Sequence, residues 1–162
     1  MNQRVSTDDA TGILDATLRE YADRGVFRNL QRSGGTRGGV EFHFAWLYDQ
    51  PFTLTYNAQR KSLALIDLLP NVETDSMMHK ELKAFLKRRS DAGLPDHRRV
   101  DAARGVVTSR TRSGVVSVEM TVRGDEYQYA TRKLIQVVHE VFLFLNEYWA
   151  EYMWKSFQLT ME

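Results

Sequence analysis

Residues 126–157 read EYQYATRKLIQVVHEVFLFLNEYWAEYMWKSF, and the periodicity of this stretch decides the fold. Leu134, Val138, Val141, Leu145, Tyr148 and Tyr152 step by fours and threes, which makes one stripe on a helix and would scatter on a strand. Val137 and Phe144 widen the stripe on one side, Ile135, Phe142 and Trp149 on the other. The arc is broad enough to lie across a whole sheet. Lys133, Gln136, Glu140, Glu147 and Glu151 are expected on the solvent side. The spacing therefore predicts one amphipathic helix over about 126–157.

Immediately before it, the pattern is extended. Arg99 to Ala102, Val106 to Arg112 and Val115 to Val122 read as strands within about 98–122, with Gly114 as the turn of the last hairpin and Gly124-Asp125 leading into the helix. A second helix is expected over about 74–92. Thr74 is its expected cap, Met78, Leu82, Phe85 and Leu86 its inner face, Lys83, Lys87, Arg88 and Arg89 its outer face, and Gly93 its stop. The segment from about 26 to 69 predicts an antiparallel meander of three or four strands. In Val40 to Tyr48 the residues Val40, Phe42, Phe44, Trp46 and Tyr48 share one face, with Glu41, His43, Ala45 and Leu47 on the other. Asp49-Gln50-Pro51 is expected to break that strand before Phe52 to Tyr56 and Ser62 to Leu69. Ser6 and Asp9 form a capping-box-like start to a first helix over about 7–24, whose inner face is Ile13, Leu14, Leu18 and Tyr21 and whose left-handed stop is Gly25. The expected order is α-β-β-β(-β)-α-β-β(-β)-α, an α+β class with helices covering one face of an antiparallel sheet.

Composition sets the outer limits. The chain has 162 residues, of which 43% are hydrophobic and 27% charged, and it has no cysteine. That length fits one domain, 1–162, with a core of its own. Disulfides, thiolate nucleophiles and cysteine metal sites are excluded. No apolar run approaches the roughly 18 residues of a membrane span, and Met1 to Asp9 lacks the apolar core of a secretory signal. A cytoplasmic protein without a membrane partner is expected. The formal net charge of +1 gives no global field, so a charged partner would need a local patch.

The succession of elements resembles the YbjN-like family of bacterial sensory-transduction regulators, which share the fold of type III secretion chaperones. The residues that carry the resemblance are the Val40 to Leu69 meander closing on Leu68-Leu69-Pro70, the cap at Thr74, the hairpin around Gly114 and the long helix after Asp125. The resemblance implies a non-enzymatic binding or regulatory module, often dimeric, with no catalytic residues to carry over. Secretion chaperones of this shape are usually acidic, whereas this chain has a pI near 8.0, which argues against an effector-chaperone role.

Tests for chemistry return no catalytic, cofactor or metal residues. Arg32 to Gly39 is glycine-rich, but a strand follows it and Gly-Lys-Ser/Thr is missing, so a strand reversal explains it better than a phosphate loop. His139-Glu140 begins like a zinc-protease helix, yet the second ligand position holds Leu143. His43, His79, His97 and His139 fall on four elements, so a metal site would need scattered members such as His43 with Glu119. No serine lies in a Gly-x-Ser-x-Gly context. Asp8-Asp9 and Asp125-Glu126 stand at helix starts, where the helix dipole accounts for them.

Two surfaces remain as candidates. Lys87, Arg88, Arg89, Arg98 and Arg99 are the core of a possible basic rim, the basis of an alternative reading as a nucleic-acid-binding accessory domain, though without interleaved aromatic residues for base stacking. Leu143, Ala150, Trp154 and Phe157 fall together opposite the main stripe of the last helix. A straight helix of about 32 residues is roughly 48 Å long, against a domain diameter of about 40 Å, so its end should overhang and offer this second stripe to a homodimer partner or a client protein. A pocket between the last helix and the sheet, for a small ligand or an enzyme substrate, is a third possibility.

Overall fold

The computed structural model describes residues 7–34 and 39–157. In chain order these form α1 (Thr7–Asp23), β1 (Arg28–Gly34), β2 (Val40–Trp46), β3 (Gln50–Asn57), β4 (Ser62–Leu69), α2 (Met77–Lys87), β5 (Gly105–Arg112), β6 (Val115–Val122), α3 (Tyr127–Tyr148) and α4 (Ala150–Phe157). The class is α+β, as the patterning predicts. Ser6 of the expected capping box and residues 35–38 of the glycine-rich turn lie outside the described residues.

All six strands pair antiparallel in the order β1-β2-β3-β4-β6-β5. Side chains alternate across such a sheet, and here the two faces differ in chemistry. Phe42 pairs with Leu54, Leu54 with Leu65 and Leu65 with Val118, giving one row of fully buried residues facing the helices. One residue over, Glu41, Thr55, Ala64, Glu119 and Thr108 form the matching row on the opposite face. The helices all lie against the first face. Ala10, Leu14 and Leu18 of α1 and Leu134, Val138, Val141 and Leu145 of α3 are each completely buried there, as the helical spacing requires. Gly25 takes φ +78 after α1 and its N–H bonds to the Ala22 carbonyl, the left-handed stop expected at that position.

Several boundaries differ from the sequence expectation. Trp46, not Tyr48, ends β2: Tyr48 adopts φ +55 in a short 3-10 turn and is 41% exposed. Gln50 and Pro51 do not break the meander but begin β3, where proline at the second position removes only a donor near the end of a ladder. β1 starts at Arg28, after buried Phe27, because Phe27 leaves the strand direction to stack on Tyr21 and Phe44. β4 carries a bulge, four positions from Leu65 to Leu69 facing two on β6, with Asp67 at φ +50 and its N–H on Ser117 Oγ.

The cap of α2 is Ser76, not Thr74, and its hydroxyl accepts the His79 N–H at 3.2 Å. That helix ends at Lys87 in a 3-10 turn over Arg88–Ser90. Residues 99–102 are not strand; the segment 91–104 instead lies along α3, with Val100 buried. Lys133 Nζ and Gln136 Nε2 donate to the His97 carbonyl, so this part of the expected solvent side of α3 is covered by the chain itself. Arg89 is likewise inside, not outside. Its guanidinium lies 3.9 Å from the Phe85 ring centroid, donates through Nε to the Phe85 carbonyl and pairs at 2.6 Å with Glu140, itself expected in solvent.

The largest departure is in the stretch that decides the fold. The last helix is not continuous to Phe157: it breaks at Trp149, with φ −135 and ψ 46, and α4 turns back. The Trp149 indole N–H donates to Glu81 Oε2 at 2.7 Å and the Tyr152 hydroxyl to the Pro70 carbonyl at 2.6 Å, while Met153 becomes 1% exposed. Folding back hides side chains that an overhanging end would leave in water. The overhang inferred from helix length therefore does not exist.

Candidate partner-binding surface

The break between α3 and α4 makes an elbow. A groove of about 490 Å³ runs along it, bounded by the Asn71–Ser76 linker and by Tyr148, Ala150, Glu151 and Lys155. Two bonds fix its walls, the Trp149 indole to α2 and the Tyr152 phenol to Pro70. Burial pushes the Tyr152 phenol from the ordinary 10.0 up to about 12, so it stays a donor throughout the neutral range. The Tyr148 ring packs 5.3 Å from Phe144, which in turn stacks at 4.8 Å on Phe85. Tyr148 is nevertheless 63% exposed.

The break divides the four residues expected as one stripe. Leu143, on α3 before the elbow, is 54% exposed, and Trp154, on α4 after it, is 48% exposed. Ala150 is exposed and lines the groove. Phe157 goes the other way: it is half-buried, with its ring 5.5 Å from Phe142 and 6.4 Å from Tyr152. Tyr148 was missed as a surface residue because it continues the buried stripe in helical spacing; it is the last residue of α3 and is exposed there.

One member of the expected basic rim lies inside the protein. Lys87 and Arg88 are exposed, but Arg89 is buried against Glu140. Arg98 lies 3.6 Å from the same carboxylate, and Arg99 pairs with Asp96 and donates to the Ala92 and Leu94 carbonyls. Arg89 thus joins α2 to α3, Arg98 ties the 91–104 segment to α3, and Arg99 braces that segment internally.

The histidines are placed by hydrogen bonds. His79 is buried, accepting the Asp75 N–H at Nδ1, which puts its proton on Nε2 toward Thr111 Oγ1 at 3.0 Å. His43 bridges Ser33 and Thr53 hydroxyls at 3.2 and 3.1 Å. Glu119 is three strand spacings from β2, about 14 Å, so His43 and Glu119 cannot share an ion. Among the described residues, no group of three or more His, Asp or Glu is placed to hold a metal.

The helix-free face holds a feature the sequence reading missed. Glu119 is 9% exposed in the middle of β6, with Arg60 and Arg110 each 3.4 Å from a different carboxylate oxygen. They line a hollow of about 350 Å³ together with Arg112, Asp67 and the hydroxyls of Ser62 and Ser117. The available signal was the polar phase of the strands, Thr53-Thr55-Asn57 and Ser117-Glu119-Thr121, one residue out of step with the core phase.

No known family model matches this sequence, and no curated protein matches it. Among the described residues no helix is long and apolar enough to cross a membrane.

Proposed function

We propose that the chain is a non-enzymatic protein-binding or regulatory module of the YbjN-like, secretion-chaperone-like kind, that the α3–α4 elbow is its partner surface, and that a second copy of the chain is its first partner. The observation that carries this reading is the exposure of Tyr148, 63%, at the lip of a groove with fixed walls, with exposed Leu143 and Trp154 on the two arms of the elbow. Large aromatic side chains set in pre-shaped surface are what protein interfaces concentrate, and isolated monomers tend to keep them covered. Anchoring of the elbow by Glu81 and Pro70 lowers the ordering entropy that association must overcome.

The order of elements supports the family likeness: one helix, four strands, a second helix, a hairpin and a terminal helix on one face of the sheet. A cytoplasmic location belongs to the same reading and rests on the lack of cysteine. Multi-angle light scattering tests the self-association. The wild type is expected to run as a dimer, and Trp154→Glu as a folded monomer with an unchanged circular dichroism spectrum. A wild type that stays monomeric at high micromolar concentration would remove the self-association part of the proposal.

A further inference from the structure

We infer that the hollow on the helix-free face of the sheet is a binding site for a phosphorylated, hydroxyl-rich small molecule without an aromatic base, such as a sugar phosphate. This is independent of the elbow, which lies on the helical side. Glu119 is the starting point. Burying a carboxylate mid-strand is expensive unless its partners are held in good geometry, and here the two partners are loose. Each guanidinium nitrogen is 3.4 Å from its oxygen, outside the roughly 2.7–2.9 Å of a tight charge-assisted bond. A threonine or valine would serve the strand as well at no electrostatic cost. The arrangement makes sense as a charge-balanced anion site: Glu119 lies between Arg60 and Arg110, and both guanidiniums are about half exposed with most of their N–H donors left for a ligand.

Arg112 adds a third guanidinium to the same hollow and Asp67 the second carboxylate, so the lining carries an excess of one positive charge, 3 − 2 = 1. Planar forks of this kind match phosphate oxygens two at a time. The remaining lining mixes the polar side chains of Thr55, Asn57, Ser62 and Ser117 with aliphatic Ala64, Ile66 and Val115. Ser62 and Ser117 can both donate and accept, and Asp67, kept in place by its own N–H on Ser117 Oγ, accepts only. None of the lining residues is aromatic, so a nucleobase finds nothing to stack on. The volume of about 350 Å³ is within the range of small-molecule sites, about 300–1,000 Å³.

Isothermal titration calorimetry with fructose 1,6-bisphosphate, fructose and adenosine monophosphate as probes tests this. Saturable heat is expected with the bisphosphate, none with fructose, and weaker binding with the nucleotide. Arg60→Gln/Arg110→Gln should weaken the bisphosphate at least tenfold. Because that variant leaves Glu119 buried and unpaired, the companion Arg60→Gln/Arg110→Gln/Glu119→Gln removes the charge along with its partners and gives the same reading on a folded protein. No saturable heat with the bisphosphate, wild-type affinity in the triple variant, or tighter binding of the nucleotide would each overturn the assignment.

Discussion

Phe157 faces Phe142 across 5.5 Å between ring centroids, although fifteen positions separate them in the chain. On one straight helix they would stand about 22 Å apart along the axis. Their contact is the far end of a run of rings that passes from Tyr21 through Phe27, Phe44 and Phe52 to Phe142, so α4 is tied to the same aromatic core that joins α1 to the sheet. The elbow is therefore built into the packing of the domain.

The Trp149–Glu81 bond is one of the two that set the break. Trp149→Phe keeps an aromatic side chain but loses the indole N–H and part of the ring volume, and should cost at least about 1.5 kcal/mol, the loss of a hydrogen bond to a charged group. Urea unfolding of Trp149→Phe, Glu81→Gln and the double variant checks it. The double variant should lose less than the sum of the singles; strict additivity would show that the two side chains do not interact.

Arg89 and Glu140, with side chains 6% and 12% exposed, make a second cross-link. Glu140→Ala strands a guanidinium inside the protein and should cost about 3–5 kcal/mol, whereas Arg89→Met with Glu140→Leu should recover most of it. Equal unfolding midpoints for the single and double replacements would show the pair is solvated in solution.

What could be read from the sequence was whatever local spacing controls. The alternation of Val40, Phe42 and Phe44, the stripe through Leu134, Val138, Val141 and Leu145, and the stop at Gly25 all lie where periodicity places them. The break at Trp149 has no such mark. Neither proline nor glycine stands there, and the choice is made by Glu81, 68 positions away, and by the Pro70 carbonyl. Arg89 and Glu140 were assigned to solvent by charge alone, yet each removes the other's penalty once 91–104 folds over α3. The candidate surfaces follow the same division: Leu143, Ala150 and Trp154 were legible as outward positions, while Tyr148 and the Glu119 hollow depend on contacts between distant strands and helices.

Tyr152 predicts an alkaline weakness. Its phenol holds its proton to about pH 12 in the folded chain and to about 10 when unfolded, so above pH 10 the unfolded state binds fewer protons and stability falls as pH rises toward 12. Burial raises Tyr56 as well, helped by its hydroxyl contact with Tyr127. Tyr152→Phe should be less stable at neutral pH, having lost the bond to Pro70, but should decline less steeply between pH 10 and 12. Thermal melts across that window check the slope, and parallel curves for the two proteins would remove Tyr152 as the cause.

The two faces of β2 should respond oppositely to the same substitution. Phe44, 3% exposed between Phe27 and Phe52, cannot accept a carboxylate, and Phe44→Asp should abolish cooperative unfolding. His43, with 45% of its side chain in solvent on the helix-free face, should tolerate aspartate with a small change in melting temperature. Similar melts for the two variants would mean that the assigned faces are wrong.

The elbow as a self-association surface is tested most directly by light scattering on the wild type and on Trp154→Glu at matched high micromolar concentration. Trp154 is 48% exposed and contributes nothing to the anchoring bonds of Trp149 and Tyr152, so its replacement should leave the fold intact. The account predicts twice the chain mass for the wild type, the chain mass of 18.8 kDa for the variant, and superimposable circular dichroism spectra. A wild type at 18.8 kDa, or a variant that still scatters as a dimer, would contradict it.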